Sequence, residues 1–112
     1  MLKVYNNRIR ITKGDSAHLT ISIKNSDGTP YDVADTDQIR LQVRTSPNRG
    51  KLVFEGKLEV TENGVLWHIR PEDTNKVQPG TYYYDAQIEN NKGDVYTFIP
   101  MSEFIISEEI TL

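Results

Sequence analysis

Cysteine is missing from this chain of 112 residues, and so is any long apolar run. The absence of cysteine excludes disulfide bonds, thiolate metal sites and a cysteine nucleophile, and it favours synthesis in a reducing cytoplasm. Residues 1–11 alternate between polar and apolar side chains, unlike the continuous apolar segment of a signal peptide. No run approaches the ~20 residues of a membrane span. The sequence therefore predicts a soluble protein with no membrane partner.

A strong excess of charge is also missing. The net charge is -3, and the charged residues, 26% of the chain, are mixed in sign. Proteins that hold nucleic acid usually present a basic surface, so we expect no nucleic-acid partner. The length fits one domain, residues 1–112, and exceeds the roughly 40 residues below which disulfides or metals are usually needed.

Helical periodicity is the third absence, because the dominant period of the sequence is two. Apolar residues alternate with polar ones in four segments, whose apolar members are Ala17, Leu19, Ile21 and Ile23; Ile39, Leu41 and Val43; Val65, Trp67 and Ile69; and Tyr82, Tyr84, Ala86 and Ile88. Strict alternation of this kind predicts half-buried β-strands.

Turn signals divide the rest of the chain. Residues 52–60 predict a looser strand with a bulge at Gly56, and Asn63-Gly64 predicts a hairpin. Pro71 predicts one helical turn over residues 71–75. Residues 95–99 predict a strand, and Phe104 and Ile106 predict a separate last one. The total is about eight short strands, the number typical of an antiparallel sandwich or a closed barrel.

The segment that leads into the longest predicted strand favours the sandwich. Val77-x-Pro79-Gly80-x-Tyr82 resembles the corner before a core strand of immunoglobulin-like domains, where a tyrosine hydroxyl bonds to the backbone of the preceding turn. Tyr82 and Tyr83 are the candidates for that role. We predict an all-β fold, an antiparallel immunoglobulin-like β-sandwich of about seven to nine short strands, with Trp67 as its largest core residue.

Four groups of residues could carry chemistry, and each has a simpler explanation. His18 and His68 could bind a metal, but residues on polar strand faces are usually just solvated. The loop that holds Asp32, Asp35 and Asp37 could bind calcium, although aspartates in loops more often cap turns. Adjacent carboxylates, as at Glu72-Asp73, usually stabilise the start of a helix. Three consecutive tyrosines, Tyr82, Tyr83 and Tyr84, could stack on a sugar, but alternation places at least one of them in the core.

None of these groups amounts to a catalytic constellation. The sequence has no phosphate-binding glycine loop and no spacing of a serine–histidine–aspartate triad. We therefore predict a protein that is not an enzyme, with no catalytic, cofactor-binding or metal-ligating residues and no cofactor.

The order and spacing of several turn and strand motifs resemble those of a prophage domain family. The motifs are Lys13-Gly14-Asp15; Asp27-Gly28-x-Pro30-Tyr31; Asp37-x-Ile39-x-Leu41-x-Val43-Arg44; Pro71-x-Asp73-Thr74; Val77-x-Pro79-Gly80-x-Tyr82-x-Tyr84-Asp85; Gly93-Asp94-Val95-x-Thr97; Phe104-x-Ile106; and Ile110-Thr111. The family is the phage tail and baseplate domain found at the N-terminus of upper baseplate proteins and as short stand-alone proteins in prophages of Gram-positive bacteria.

This resemblance covers nearly the whole chain, and it implies an immunoglobulin-like domain that acts as a virion structural module. The expected partners are other tail or baseplate proteins or further copies of the chain, and the expected location is the phage tail, after synthesis in the host cytoplasm. Baseplate proteins usually continue into a longer C-terminal part, whereas this chain stops at Leu112, so a stand-alone protein and an excised domain both fit.

Two functional hypotheses follow from this point. In the first, the protein docks in a virion either through an exposed sheet edge or face to face. Residues 52–60 are one candidate edge, because Lys51, Glu55, Lys57 and Glu59 would protect that edge in the free state. In the second, the domain is a carbohydrate-binding or adhesin module on a cell surface that uses the tyrosines and the aspartate loop.

Overall fold

The computed structural model describes residues 7–62 and 64–108 and the backbone of residues 3–5, and these residues form nine β-strands and one helical turn. Asn63 of the predicted Asn63-Gly64 hairpin and the closing Ile110-Thr111 motif lie outside these residues. In chain order the elements are β1 (Lys3–Tyr5), β2 (Arg8–Thr12), β3 (Ala17–Ile21), β4 (Gln38–Arg44), β5 (Leu52–Glu55), β6 (Lys57–Thr61), β7 (Gly64–Ile69), α1 (Pro71–Thr74), β8 (Gly80–Glu89) and β9 (Val95–Ser107).

The strands form two sheets that pack face to face. The large sheet has the order β1-β2-β9-β8-β4-β5, and the small sheet has the order β3-β7-β6. All neighbouring strands are antiparallel except β2 and β9, which are parallel. A parallel pair needs a long connection, and here almost the whole chain lies between the two strands. The predicted all-β, immunoglobulin-like β-sandwich is confirmed, with this one parallel pair as a departure.

The alternating apolar residues meet between the sheets. Trp67 of the small sheet is fully buried. Its ring centre lies 5.5 Å from that of Tyr84 and 5.8 Å from that of Phe104, both on the large sheet. Aromatic rings at these distances add packing energy beyond the area that they bury. The prediction that Trp67 is the large core residue is confirmed.

Gly56 marks the point where the chain leaves one sheet for the other, so the predicted bulge in a single strand is wrong. β5 belongs to the large sheet and β6 to the small one. The Gly56 amide donates to the carbonyl oxygen of Leu41 at 2.8 Å. A Cβ atom at Gly56 would lie 2.9 Å from Cδ2 of Leu41 and 3.0 Å from Nε1 of Trp67. A larger residue here would therefore press on the buried side chains of Leu41 and Trp67, because the backbone crosses directly over the core.

The last two predicted strands are one continuous strand, β9, so the predicted break between residues 99 and 104 is wrong. Ile99 pairs with Ala86 and Ser102 pairs with Tyr84, so that Pro100 and Met101 lie opposite the single residue Asp85. Two residues against one make a β-bulge, which leaves a backbone position outside the hydrogen-bonded ladder. Proline has no amide hydrogen to donate, and a bulge is where a strand tolerates it.

The helical turn α1 is fixed to the rest of the fold through a buried hydroxyl. Thr74 is fully buried, and its Oγ1 accepts a hydrogen bond from the Gly14 amide at 2.9 Å. Gly14 lies in the turn between β2 and β3 and has a φ of 83°, in the left-handed region that favours glycine. This hydrogen bond joins the turn between β2 and β3 to α1.

Candidate functional site

The segment from Leu52 to Thr61, which we call the edge segment, forms one edge of both sheets. β5 is the last strand of the large sheet and β6 is the last strand of the small sheet. Among the described residues, no strand pairs with the outer side of either one. The sequence-based prediction that residues 52–60 form a sheet edge is therefore confirmed. An edge of this kind offers backbone donors and acceptors to a partner strand.

Side chains on the edge segment combine apolar ends with charges between them. Leu52 is 47% exposed and Val60 is 53% exposed, although both are apolar. Glu55, Lys57 and Glu59 are exposed between them. Alternating charges on an edge oppose uncontrolled strand pairing, whereas exposed apolar residues favour contact with a partner. The segment therefore combines charges that oppose strand pairing with exposed apolar side chains.

The two histidines, predicted to be separate solvated residues, are direct neighbours. His18 on β3 pairs in register with His68 on β7, and the two rings stack with centres 4.2 Å apart and planes 11° apart. His18 is exposed and His68 is half-buried. The sequence does not predict this contact, because 50 positions separate the two histidines and only the register of β3 against β7 brings them together.

The aspartate loop has the geometry of a capped turn. Oδ2 of Asp37 accepts hydrogen bonds from the Tyr31 hydroxyl and from the Ala34 amide, both at 2.8 Å. Among the described residues, no group of three or more histidine, aspartate or glutamate side chains is placed to hold a metal ion. The structure therefore does not bring Asp32, Asp35 and Asp37 together as a ligand set.

The adjacent carboxylates differ sharply in environment. Glu72 is exposed, whereas the Asp73 side chain is only 4% exposed. Oδ2 of Asp73 accepts a hydrogen bond from the Arg70 amide at 2.9 Å, and Oδ1 lies 2.9 Å from Nη2 of Arg70. The hydrogen bond that Nη2 of Arg70 donates to Oδ1 of Asp73, together with the charge of that carboxylate, raises the pKa of the Arg70 guanidinium. Asp73 closes the first turn of α1, the helix-start role that the sequence predicted.

The three tyrosines take three different positions. The Tyr82 hydroxyl donates to the carbonyl oxygen of Gln78 at 2.5 Å, so Tyr82 is the corner tyrosine and that prediction is confirmed. Tyr83 lies on the outer face of the large sheet. Tyr84 is buried, and its hydroxyl donates to the carbonyl oxygen of Asn7. The prediction that at least one of the three tyrosines lies in the core is confirmed by Tyr84, but nothing in the sequence indicates the partner of its hydroxyl.

Tyr84 gives the fold a predicted response to alkaline pH. Burial raises the pKa of Tyr84 to about 12, whereas an unfolded tyrosine titrates near pH 10. Because the unfolded chain loses this proton first, the free energy of unfolding should fall by about 2 kcal/mol between about pH 10 and pH 12. Tyr84→Phe should be about 1 kcal/mol less stable near pH 7, since it lacks the hydrogen bond, but more stable than wild type above about pH 11.

Urea denaturation of the wild-type protein and Tyr84→Phe across this pH range tests the prediction. All other titrating groups are common to both proteins, so only the difference between their unfolding free energies matters. A difference that stays constant from neutral to alkaline pH would show that the Tyr84 hydroxyl is not buried as described.

A shallow groove on the outer face of the large sheet was not predicted. It has a volume of about 260 Å³, and its lining includes Arg40, Arg44, Arg49, Tyr83 and Asp85. Nη1 of Arg44 donates to the carbonyl oxygen of Gly50 at 2.9 Å, and Nη2 donates to Gln42 at 2.8 Å. The groove therefore carries mixed charge, and the guanidinium group of Arg44 already donates hydrogen bonds within the protein.

Comparisons with known proteins add a likeness in fold only. No protein-family model matches the chain, and no curated protein matches it. Among solved structures, the chain is similar to CopC from Methylosinus trichosporium OB3b, with 13% identity, a TM-score of 0.49, and coverage of 92% of this chain and 86% of that chain. A likeness at this level does not extend to function. No helix in the described part of the chain is long and apolar enough to cross a membrane.

Proposed function

We propose that this protein is a non-enzymatic structural module of a phage tail or baseplate, encoded by a prophage of Gram-positive bacteria. The observation that carries the proposal is the edge segment, which leaves one side of both sheets open to a partner strand. The order of the turn and strand motifs, which resembles the prophage domain family over nearly the whole chain, supports the same function. The proposed location is the virion, and the proposed partners are other tail proteins or further copies of the chain.

The proposed mechanism is strand addition at the edge segment. A partner strand would receive main-chain hydrogen bonds from the outer side of β5 or β6. Leu52 and Val60 would supply apolar contacts at the two ends of the segment, because both are about half exposed in the free chain. Lys57 and Glu59, which lie between them, would select the register of the partner through charge complementarity.

Substitution of the two exposed apolar residues tests this mechanism. We expect the wild-type chain to form defined oligomers at micromolar concentration in size-exclusion chromatography with light scattering. The double variant Leu52→Lys/Val60→Lys should be monomeric, because added lysines on an edge oppose strand pairing. Its free energy of unfolding should change by only about 0.5 kcal/mol per site, since both side chains are exposed.

Met101→Lys is the matched control for the double variant. Met101 is 53% exposed and lies on β9, which is not an edge strand. This variant should form the same oligomers as the wild-type chain. A wild-type chain that stays monomeric and is stabilised against heat by oligosaccharides would contradict the docking proposal and favour a carbohydrate-binding module.

A further inference from the structure

The stacked histidines lie on the outer face of the small sheet, away from the core. Inward residues of β7 are Val65, Trp67 and Ile69, all fully buried, so the alternation of the strand directs His68 outward. Its register partner, His18, is on β3, an edge strand of the small sheet. Solvent therefore reaches this pair of imidazoles, whose nitrogens are among the commonest ligands of transition metals in proteins.

The two imidazole rings lie close together on the surface of the small sheet. Two nitrogens that bind one tetrahedral zinc ion at ~2.0–2.1 Å are about 3.3 Å from each other. The ring centres are 4.2 Å apart and the planes are nearly parallel. Because nitrogens of two parallel stacked rings do not point at a common ion, chelation requires the exposed His18 ring to turn out of the stack. Residues of one antiparallel pair, held by the sheet, need little further ordering to bind an ion.

We propose that His18 and His68 form a bidentate surface site for a transition-metal cation that favours imidazole, such as Zn²⁺, Ni²⁺ or Cu²⁺. Water, or a ligand from outside the chain, completes the coordination, since the described residues hold no group of three such side chains. Neither histidine belongs to the edge segment, and the proposal does not depend on the proposed function.

The neighbouring cation limits the affinity of the site. Lys57 on β6 pairs in register with His68, on the side opposite His18. A row of His18, His68 and Lys57 thus crosses the small sheet, and the ammonium group repels a bound dication. Replacement of Lys57 by a neutral residue of similar length should therefore strengthen binding.

Titration with Zn²⁺, followed by calorimetry and by the histidine ring signals in NMR spectra, tests the proposal. We expect saturable binding by the wild-type protein, with one ion per chain or one ion shared by two chains, and no response to Mg²⁺, which prefers oxygen ligands. His18→Phe and His68→Phe should each weaken Zn²⁺ binding at least about tenfold, because one remaining imidazole cannot chelate. Lys57→Gln should tighten it severalfold.

Phenylalanine is chosen because it keeps the cross-strand aromatic contact, which has a structural value of its own. Both variants should therefore keep the melting temperature of the metal-free wild-type protein, which separates loss of a ligand from loss of the fold. The absence of saturable Zn²⁺ binding in the wild-type protein would overturn the proposal, as would equal binding by the wild-type protein and both phenylalanine variants. Either result would leave the pair as a purely structural stack.

Discussion

Replacement of Gly64 by alanine is expected to lower the free energy of unfolding by roughly 3 kcal/mol or more, the sum of backbone strain and a clash with the neighbouring strand. Gly64 begins β7 with a φ of 128°, a conformation that residues with a Cβ rarely adopt. A Cβ atom there would lie 2.3 Å from the carbonyl oxygen of Ile21. That oxygen belongs to the backbone of β3, so relief of the clash requires separation of β3 from β7.

Gly28→Ala and Gly93→Ala are matched controls for this substitution. Both glycines have positive φ, 88° and 83°, but no described atom lies within 4 Å of the Cβ that alanine would add. Each control should cost about 1–2 kcal/mol, the penalty of a left-handed backbone alone. Denaturation followed by the fluorescence of Trp67, the single tryptophan, measures all three. Equal losses in the three variants would contradict the close approach of Gly64 to β3.

Asp73→Ala is expected to lower the free energy of unfolding by about 2–4 kcal/mol, whereas Glu72→Ala should change it by less than about 0.5 kcal/mol. The Asp73 carboxylate is buried and binds both the amide and the guanidinium group of Arg70. Its removal leaves that amide without its acceptor at the start of α1 and leaves the guanidinium without its counterion. Glu72 is exposed, and its loss affects only a weak interaction with the helical turn.

A comparison of the unfolding free energies of the two alanine variants distinguishes the buried carboxylate of Asp73 from the solvated carboxylate of Glu72. Urea denaturation at neutral pH gives both free energies, and Asp73→Asn adds a third value. Asparagine keeps an acceptor for the Arg70 amide but loses the charge, so this variant should fall between the other two. If Glu72→Ala and Asp73→Ala cost the same, then Asp73 does not close the turn as described.

Local pattern was sufficient to predict most of the fold. Alternation in residues 65–69 placed Trp67 in the core because a strand with one buried face has a period of two. The corner before Tyr82 was predicted from Pro79 and Gly80, whose backbone preferences fix the turn locally. These features depend on residues that are close in sequence, and the structure confirms them.

Features that depend on distant contacts were not predictable in the same way. The sequence does not show to which sheet a strand belongs, so the sheet crossing at Gly56 was interpreted as a bulge. Residues 95–99 and the segment of Phe104 and Ile106 are predicted as separate strands, because no local pattern shows the register against Asp85 that lets Pro100 lie within β9. The contact between His18 and His68 depends on the register of β3 against β7, which no local pattern specifies.

The edge segment also has one feature that is predictable from local pattern and one that is not. Charges around residues 52–60 indicated an edge, and the sheet order confirms it. The exposure of Leu52 and Val60 could not be predicted, because alternation alone assigns apolar residues to the buried face. Leu52 pairs with Arg44, whose side chain lies on the outer face of the large sheet, and Val60 lies on the last strand of the small sheet, which no described strand covers.

Protein mass spectrometry of phage tail particles, purified from the encoding bacterial strain after prophage induction, tests the proposed function most directly. We expect the wild-type chain to be present in these particles at a fixed ratio to the other tail proteins. Leu52→Lys/Val60→Lys, introduced at the chromosomal gene, should greatly reduce this ratio while the protein remains folded in the cell extract. Intact particles that contain the other tail proteins but lack the wild-type chain would show that the protein is not a tail module.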